Sequence, residues 1–292
     1  ADKTKIKGKI KHFFHLAAMY DMKASAEENH TANVIGTQNA VTLANEIKAG
    51  LFHHMSSIAV AGNYEGVFRE DMFDEANDYL DHPYMQTKHE SEKYVRDNAA
   101  MPWRVYRPGV VLGDSHTGEI DKIDGPYYFF KLIQKMRATL PPWMPSIGIE
   151  GGRMNMVPVD FVVAATLALS RDPRALGKTF HLVDPNPPSS HAVYDLMAAK
   201  AGRRLRTLRI SPGLTRLIVR IPGLDQLVPQ GIQALHYLNH LAIYNSPNTL
   251  ELLHNTGILC PRFESYADRL MDYLRQRLQA ARPPDGDDPL DT

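Results

Sequence analysis

A single cysteine, Cys260, is all the thiol chemistry that this chain carries. That count excludes an internal disulfide and a cysteine-rich metal site, and it makes a reducing compartment, the cytoplasm, the expectation. Charge of one sign is missing as well: 33 Lys and Arg balance 33 Asp and Glu. Without a basic surplus, nothing draws the molecule as a whole to nucleic acid or to anionic lipid. No apolar run approaches the ~18 residues that a membrane span needs, and no charged-then-apolar leader opens the chain. The sequence also contains no G-x-x-G-x-x-G turn. Its nearest glycine cluster, "GIEGGRMN" (148–155), comes late and precedes no suitable helix.

What is present is enough to build a large core: 292 residues, 43% of them hydrophobic. Lysines alternate from Lys3 to Lys11 and lead into "IKHFFHLAA" (Ile10 to Ala18), a short apolar run of the kind a buried parallel strand shows. "AEENHTANVIGTQNAVTLANEIKAG" follows with apolar residues at helical spacing, with Lys48 in its last turn and Gly50 as its stop. "LFHHMSSIAV" (Leu51 to Val60) predicts a second strand, a helix begins near Pro83, and "WRVYRPGVVLG" predicts a third strand leading into a Pro-Gly turn. Strand and helix alternate at the spacing of right-handed crossovers, which predicts an α/β fold with a Rossmann-like parallel sheet. Further on, "GPYYFFKLIQKMRA" reads as a helix, another follows Pro158, and "KTFHLVDP" reads as a late strand. From Pro187 helical patterns dominate. The expected division is 1–186 for the sheet domain with an insertion near 113–155, 187–281 for a helical lobe, and 282–292 for a disordered acidic, Pro-rich tail.

The chemistry centres on "HPYMQTKHESEKY". Tyr84 and Lys88 stand four apart and share a helical face, although Tyr127 and Lys131 repeat the spacing. An ammonium near a phenol favours phenolate and eases proton exchange, so such a tyrosine can act as acid or base on a carbonyl or alcohol oxygen. Ser56 and Ser57, at the end of a predicted parallel strand, lie where open α/β sheets bind ligands, and a serine there can hydrogen-bond the same oxygen. His12 with His15, and His53 with His54, invite a metal reading. No carboxylate or Cys set joins them at ligand spacing, so the expectation is no metal.

Taken in order, "HLAA", "NVIGT", "SSIAVAG", "YMQTK", "YRPG" and "VPVD" resemble the extended short-chain dehydrogenases/reductases over about Ile10 to Pro185. The preference is for the hydroxysteroid-dehydrogenase-like and thioester-reductase-like branches over sugar-nucleotide epimerases. The resemblance implies a catalytic set of Tyr84, Lys88, Ser57 and Asn33, the last supporting a water-mediated proton relay. It implies cofactor contacts from Ala17, Ala18, Lys88, Pro108 and Gly109, with NAD or NADP as the cofactor. It moves Tyr127 and Lys131 into the substrate-binding region, as a pocket or packing pair. The implied activity is hydride transfer to or from a carbonyl or alcohol carbon.

The alternatives are an epimerase or dehydratase of the same family, against which Ile58 beside Ser57 argues, and a non-catalytic binding module. In the resembled family a glycine-rich turn precedes the "HLAA" strand, and here only about a dozen residues do. The expectation is therefore an N-terminally truncated fold with weak cofactor binding and an apolar sheet edge at "IKHFFHLAA". Tyr127, Tyr128, Phe129, Phe130 and Trp143 suggest either an apolar ligand or a packed core. "RRLRTLRISPGLTRLIVRIPGL" reads either as a membrane-surface segment or as a solvated element beside the substrate lobe. The expected partner is a small molecule, with neither nucleic acid nor a membrane span and with a homo-oligomer allowed.

Overall fold

The computed structural model describes residues 3–19, 24–121, 127, 146–149, 152–200, 207–210 and 242–280. Its strands are β1 (Phe13–His15), β2 (Phe52–Met55), β3 (Gly66–Phe68), β4 (Trp103–Pro108), β5 (Val110–Leu112), β6 (Ser146–Ile149), β7 (Met156–Pro158), β8 (Thr179–Leu182), β9 (Thr207–Ile210) and β10 (Ala242–Tyr244). Its helices are α1 (Ala26–Asn29), α2 (Gly36–Glu46), α3 (Pro83–Asn98), α4 (Val159–Arg171), α5 (Ser190–Lys200), α6 (Pro247–Leu253) and α7 (Phe263–Ala280). Two compact units divide the chain. The first comprises 1–110, 161–185 and 240–260, and the second comprises 111–160, 186–239 and 261–292.

The first unit holds a four-stranded parallel sheet in the order β1-β2-β4-β8, a Rossmann-like α/β arrangement. Phe13, Phe52 and Trp103 share one register, as do His54, Val105 and Thr179, so all four strands end at the same side of the sheet. A core of Val41, Ala44, Ile47, Phe52, Val95 and Met101 joins this sheet to its helices. Each large side chain buried there contributes about 1.5–3 kcal/mol. Several polar residues inside the strands are paired: the Arg104 guanidinium donates to the carbonyls of Ser170 at 2.8 Å and Asp172 at 2.6 Å. His53 bonds His12 and Tyr106, each at 3.0 Å, and burial followed by nearby Arg104 holds it down to about 3, so it stays neutral. Among the described residues β1 stands at one end of the sheet order, with Phe14 39% and Leu16 57% exposed.

Several expected boundaries shift. The segment 51–60 is not one strand: β2 ends at Met55, and Ser57 caps a 3-10 helix, Ile58–Ala61, by accepting from the Ala59 amide at 3.1 Å. The first long helix opens on a capping box from Ser25 and Glu28 and passes through a π-helical stretch, His30–Ile35, before α2. It ends without Gly50. Lys48 takes the left-handed conformation at φ 52, while Gly50 meets a different demand, since a Cβ there would lie 2.9 Å from the Lys11 carbonyl oxygen. "YRPG" is no turn: β4 runs through Pro108 and β5 starts at Val110. A strand, β10, interrupts the expected helical region beyond Pro187 and pairs in parallel with β3. Residues 240–260 therefore group with the sheet unit, whereas the sequence boundaries put them in the helical lobe. Glu70 secures this return, accepting from the amides of Asn248 at 2.6 Å and Thr249 at 3.3 Å at the start of α6, and from the His181 amide at 2.8 Å.

In the second unit β5 pairs with β7 and β6 with β9. Ser115 donates from its amide and hydroxyl to the Asp160 carboxylate, and Arg269 of α7 donates to the Ser115 carbonyl at 3.1 Å. α5 and α7 match the helices read from the sequence. The expectations for 282–292, for Lys131, Tyr128, Phe129, Phe130 and Trp143, and for most of "RRLRTLRISPGLTRLIVRIPGL" lie outside the described residues.

Candidate functional site

The shared register of the parallel strands carries four segments to one end of the sheet: 16–19 after β1, 56–57 after β2, 108–109 at the end of β4, and 183–184 after β8. α3 lies against this end. His82 starts the helix by accepting from the Tyr84 amide at 3.1 Å, and Pro83 occupies the first turn, where its missing N–H costs nothing. Tyr84, Lys88 and Glu92 then fall on one face at successive intervals of four.

Lys88 is buried, and its ammonium donates to the Met55 carbonyl at 3.1 Å, the last residue of β2. Burial pushes its pKa down to about 8, against the opposing pull of Glu92. Tyr84 is half-buried and bonded to Ser57; burial pushes the phenol up to about 12, with the Ser57 contact acting the other way. This corrects the expectation that Lys88 draws the phenol toward neutrality. Desolvation wins, and Tyr84 is fully protonated at neutral pH. Ser57 is half-buried, with its oxygen accepting from the Ala59 amide. Ser56 faces away, donating to Glu92 at 2.6 Å.

Asn33 sits in the π-helical stretch, a device often found at functional sites. Its side chain accepts from the Met19 amide at 2.8 Å, and it donates to the Met19 carbonyl at 3.3 Å and to Thr87 Oγ1 at 3.2 Å. The Asn33 amide thus clamps the segment after β1 to the Tyr84 helix. Ala17 and Ala18 are exposed on that segment, while Pro108 and Gly109 are buried at the end of β4, with the Gly109 amide donating to the Leu182 carbonyl at 3.0 Å. Tyr127 belongs to the second unit, buried, its oxygen accepting from the Gly113 amide at 2.9 Å. Among the described residues no group of three His, Cys, Asp or Glu is arranged to hold a metal, and no helix is long and apolar enough to cross a membrane.

The sequence reading missed the centre beneath this site. The fully buried Glu92 carboxylate accepts from Arg107 at 2.6 and 3.0 Å, from Arg96 at 2.6 and 3.0 Å, and from Ser56. Burial pushes its pKa up, but the Arg107 and Arg96 charges and these hydrogen bonds outweigh that and hold it well below the carboxylate range. Its position four after Lys88, on the same face, was the available signal.

A protein-family model described as Male sterility protein, an NAD-binding family, matches residues 1–166. Among curated proteins the chain is similar to the non-canonical nonribosomal peptide synthetase FrzA of a Cladobotryum species. The two are 26% identical over 289 residues, covering 90% of this chain and 27% of FrzA. It is also similar to the aldehyde reductase lnbA of Aspergillus flavus, 27% identical over 244 residues, covering 78% of this chain and 23% of that protein. The chain thus spans about a quarter of the length of these relatives. Among solved structures, the terminal R domain from the myxalamid PKS-NRPS biosynthetic pathway aligns with a TM-score of 0.76 at 26% identity, covering 94% of this chain and 70% of that one.

Proposed function

Since this chain belongs to the male sterility family of NAD-binding proteins, a reductase-type branch of the extended short-chain dehydrogenases/reductases, we propose that it reduces a carbonyl carbon, with Tyr84 as the acid. The observation that carries the reading is the contact of Tyr84 with Ser57, one helical turn from a buried ammonium. The residues fit the nicotinamide-ribose end of NAD or NADP. Lys88 uses one of its three N–H groups on Met55, leaving donors for ribose hydroxyls, and Ala17, Ala18, Pro108 and Gly109 would flank the ring at adjacent strand ends. They include no glycine turn for the pyrophosphate, and none is assigned to it. When bound, such a cofactor supplies the hydride.

The chain's own residues manage the oxygen. Ser57 and Tyr84 both donate hydrogen bonds to the substrate carbonyl oxygen, and as negative charge develops there the Tyr84 proton passes to it. A phenol held near 12 is the protonated form that this direction requires. The Lys88 ammonium steadies the phenolate left behind, and Asn33 supports a relay that returns the proton. The relatives' names, a peptide synthetase and an aldehyde reductase, favour an aldehyde or acyl-thioester carbonyl. The test is oxidation of NADH and NADPH at millimolar concentration with a panel of aldehydes and acyl thioesters. The assay uses the longest polypeptide that the reading frame encodes, with parent and Tyr84→Phe in parallel. Tyr84→Phe should lose at least about 100-fold in kcat; equal turnover would refute the assignment.

A further inference from the structure

Three stretches of the candidate site come from separate parts of the chain, and one buried carboxylate touches all three. Glu92 lies on the helix of Tyr84 and Lys88. It accepts from Ser56, the peptide neighbour of Ser57, and from Arg107, the neighbour of Pro108. Both neighbours are otherwise tied down: the Ser56 amide donates to Tyr106 at 2.7 Å, and Arg107 donates to the Met72 carbonyl at 3.0 Å with Phe68 under its guanidinium. We propose that Glu92 is a positioning residue, which holds Ser57, Pro108 and the Tyr84–Lys88 face in one geometry and supplies the counter-charge for Lys88. The proposal rests on the reductase reading for its activity readout, and otherwise on the hydrogen bonds of Glu92 and on its place four residues after Lys88 on the same helix.

The electrostatic part follows from what surrounds Lys88. His15 and His54 face it and are kept neutral, mainly by burial and then by the Lys88 charge itself. Arg96 and Arg107 add two further cations in the same region. Tyr84 is neutral at physiological pH. Among the described residues Glu92 is thus the anion that favours a charged Lys88, and neutralising it removes the ion-pair partner of both Arg96 and Arg107 as well. A merely structural carboxylate would change stability while leaving the charge state of Lys88 as it was.

The experiment compares parent, Glu92→Gln, Ser56→Ala and the double variant Glu92→Met with Arg107→Met, in which an apolar pair replaces the ion pair. Lys88 is titrated by heteronuclear NMR of its side chain, and the pH dependence of kcat is measured beside it. Glu92→Gln should lower the Lys88 midpoint by about one pH unit, with the alkaline fall of kcat moving along with it, and the double variant, which removes one cation along with the anion, should lower it by less. Ser56→Ala keeps the ion pair, so it should lower kcat about 3–10-fold through Ser57, with an unchanged Lys88 midpoint. A parental Lys88 midpoint in the folded variants overturns the charge role, and parental kcat in Ser56→Ala overturns the positioning role. Should the midpoint shift while Tyr84→Phe turns over like the parent, the reductase reading fails and the control of Lys88 by Glu92 stands.

Discussion

Lys88 is buried with its ammonium on a single backbone carbonyl, an arrangement that stability alone does not select. Its pKa of about 8 lies below that of an exposed lysine, so the unfolded chain binds more protons than the folded one between pH 8 and about 10.5. The contribution of Lys88 therefore becomes less unfavourable as pH rises through that window, and below pH 8 its full cost, roughly 3 kcal/mol, is present. Lys88→Met should stabilise the protein near pH 7 by about 1–3 kcal/mol, offset in part by the orphaned Met55 carbonyl. The gain should shrink toward pH 10.5. Urea unfolding at several pH values checks this, and a gain independent of pH would contradict it. Tyr84, Lys88 and Ser57 were picked out in the sequence by the ordered motifs around them, since the Tyr-Lys spacing alone recurs at Tyr127 and Lys131. Glu92 was not, because an acid on a helix reads as solvated until the two arginines that neutralise it are known to converge from β4 and the same helix.

Element by element, legibility followed length. α3, α4, α5 and α7 were readable from their spacing, whereas β3 and β10 have three residues each and no periodicity to detect. The 3-10 helix after Ser57 was hidden inside an apolar run that looks like continuing strand. Gly62 ends it at φ +55, and a Cβ there would lie 2.2 Å from the Tyr79 carbonyl oxygen. Backbone cannot give way as a side-chain tip can, so Gly62→Ala should cost about 2–4 kcal/mol and loosen the segment that orients Ser57. Thermal unfolding measures the first effect. Gly177→Ala, at φ +68 with open space around it, controls for backbone strain alone and should cost less.

At the scale of the whole molecule, the parallel sheet was legible in the alternation of strands and helices, and the return of 240–260 to the sheet unit was not. Nothing local distinguishes β10 from its surroundings, since its partner lies in a distant part of the sequence. The sequence holds no G-x-x-G-x-x-G turn to which the phosphate end of a dinucleotide could be assigned. Calorimetric titration of the 292 residues with NADH and NADPH should give Kd above about 1 mM, because close backbone approach at a glycine turn supplies much of the binding in such folds. Micromolar binding would show that another part of the chain holds the pyrophosphate.

Glu70 also sets a schedule for the chain. Its carboxylate is buried and depends on Asn248, 178 residues further along, for a hydrogen bond of 2.6 Å. At about 5–20 residues per second, a ribosome needs roughly 10–35 s to make that stretch. Through that interval β3 has no β10 beside it and Glu70 keeps its water. The β1-β2-β4 portion is complete much earlier, so the Tyr84 face is assembled on a sheet whose last staple arrives from the ribosome long afterwards.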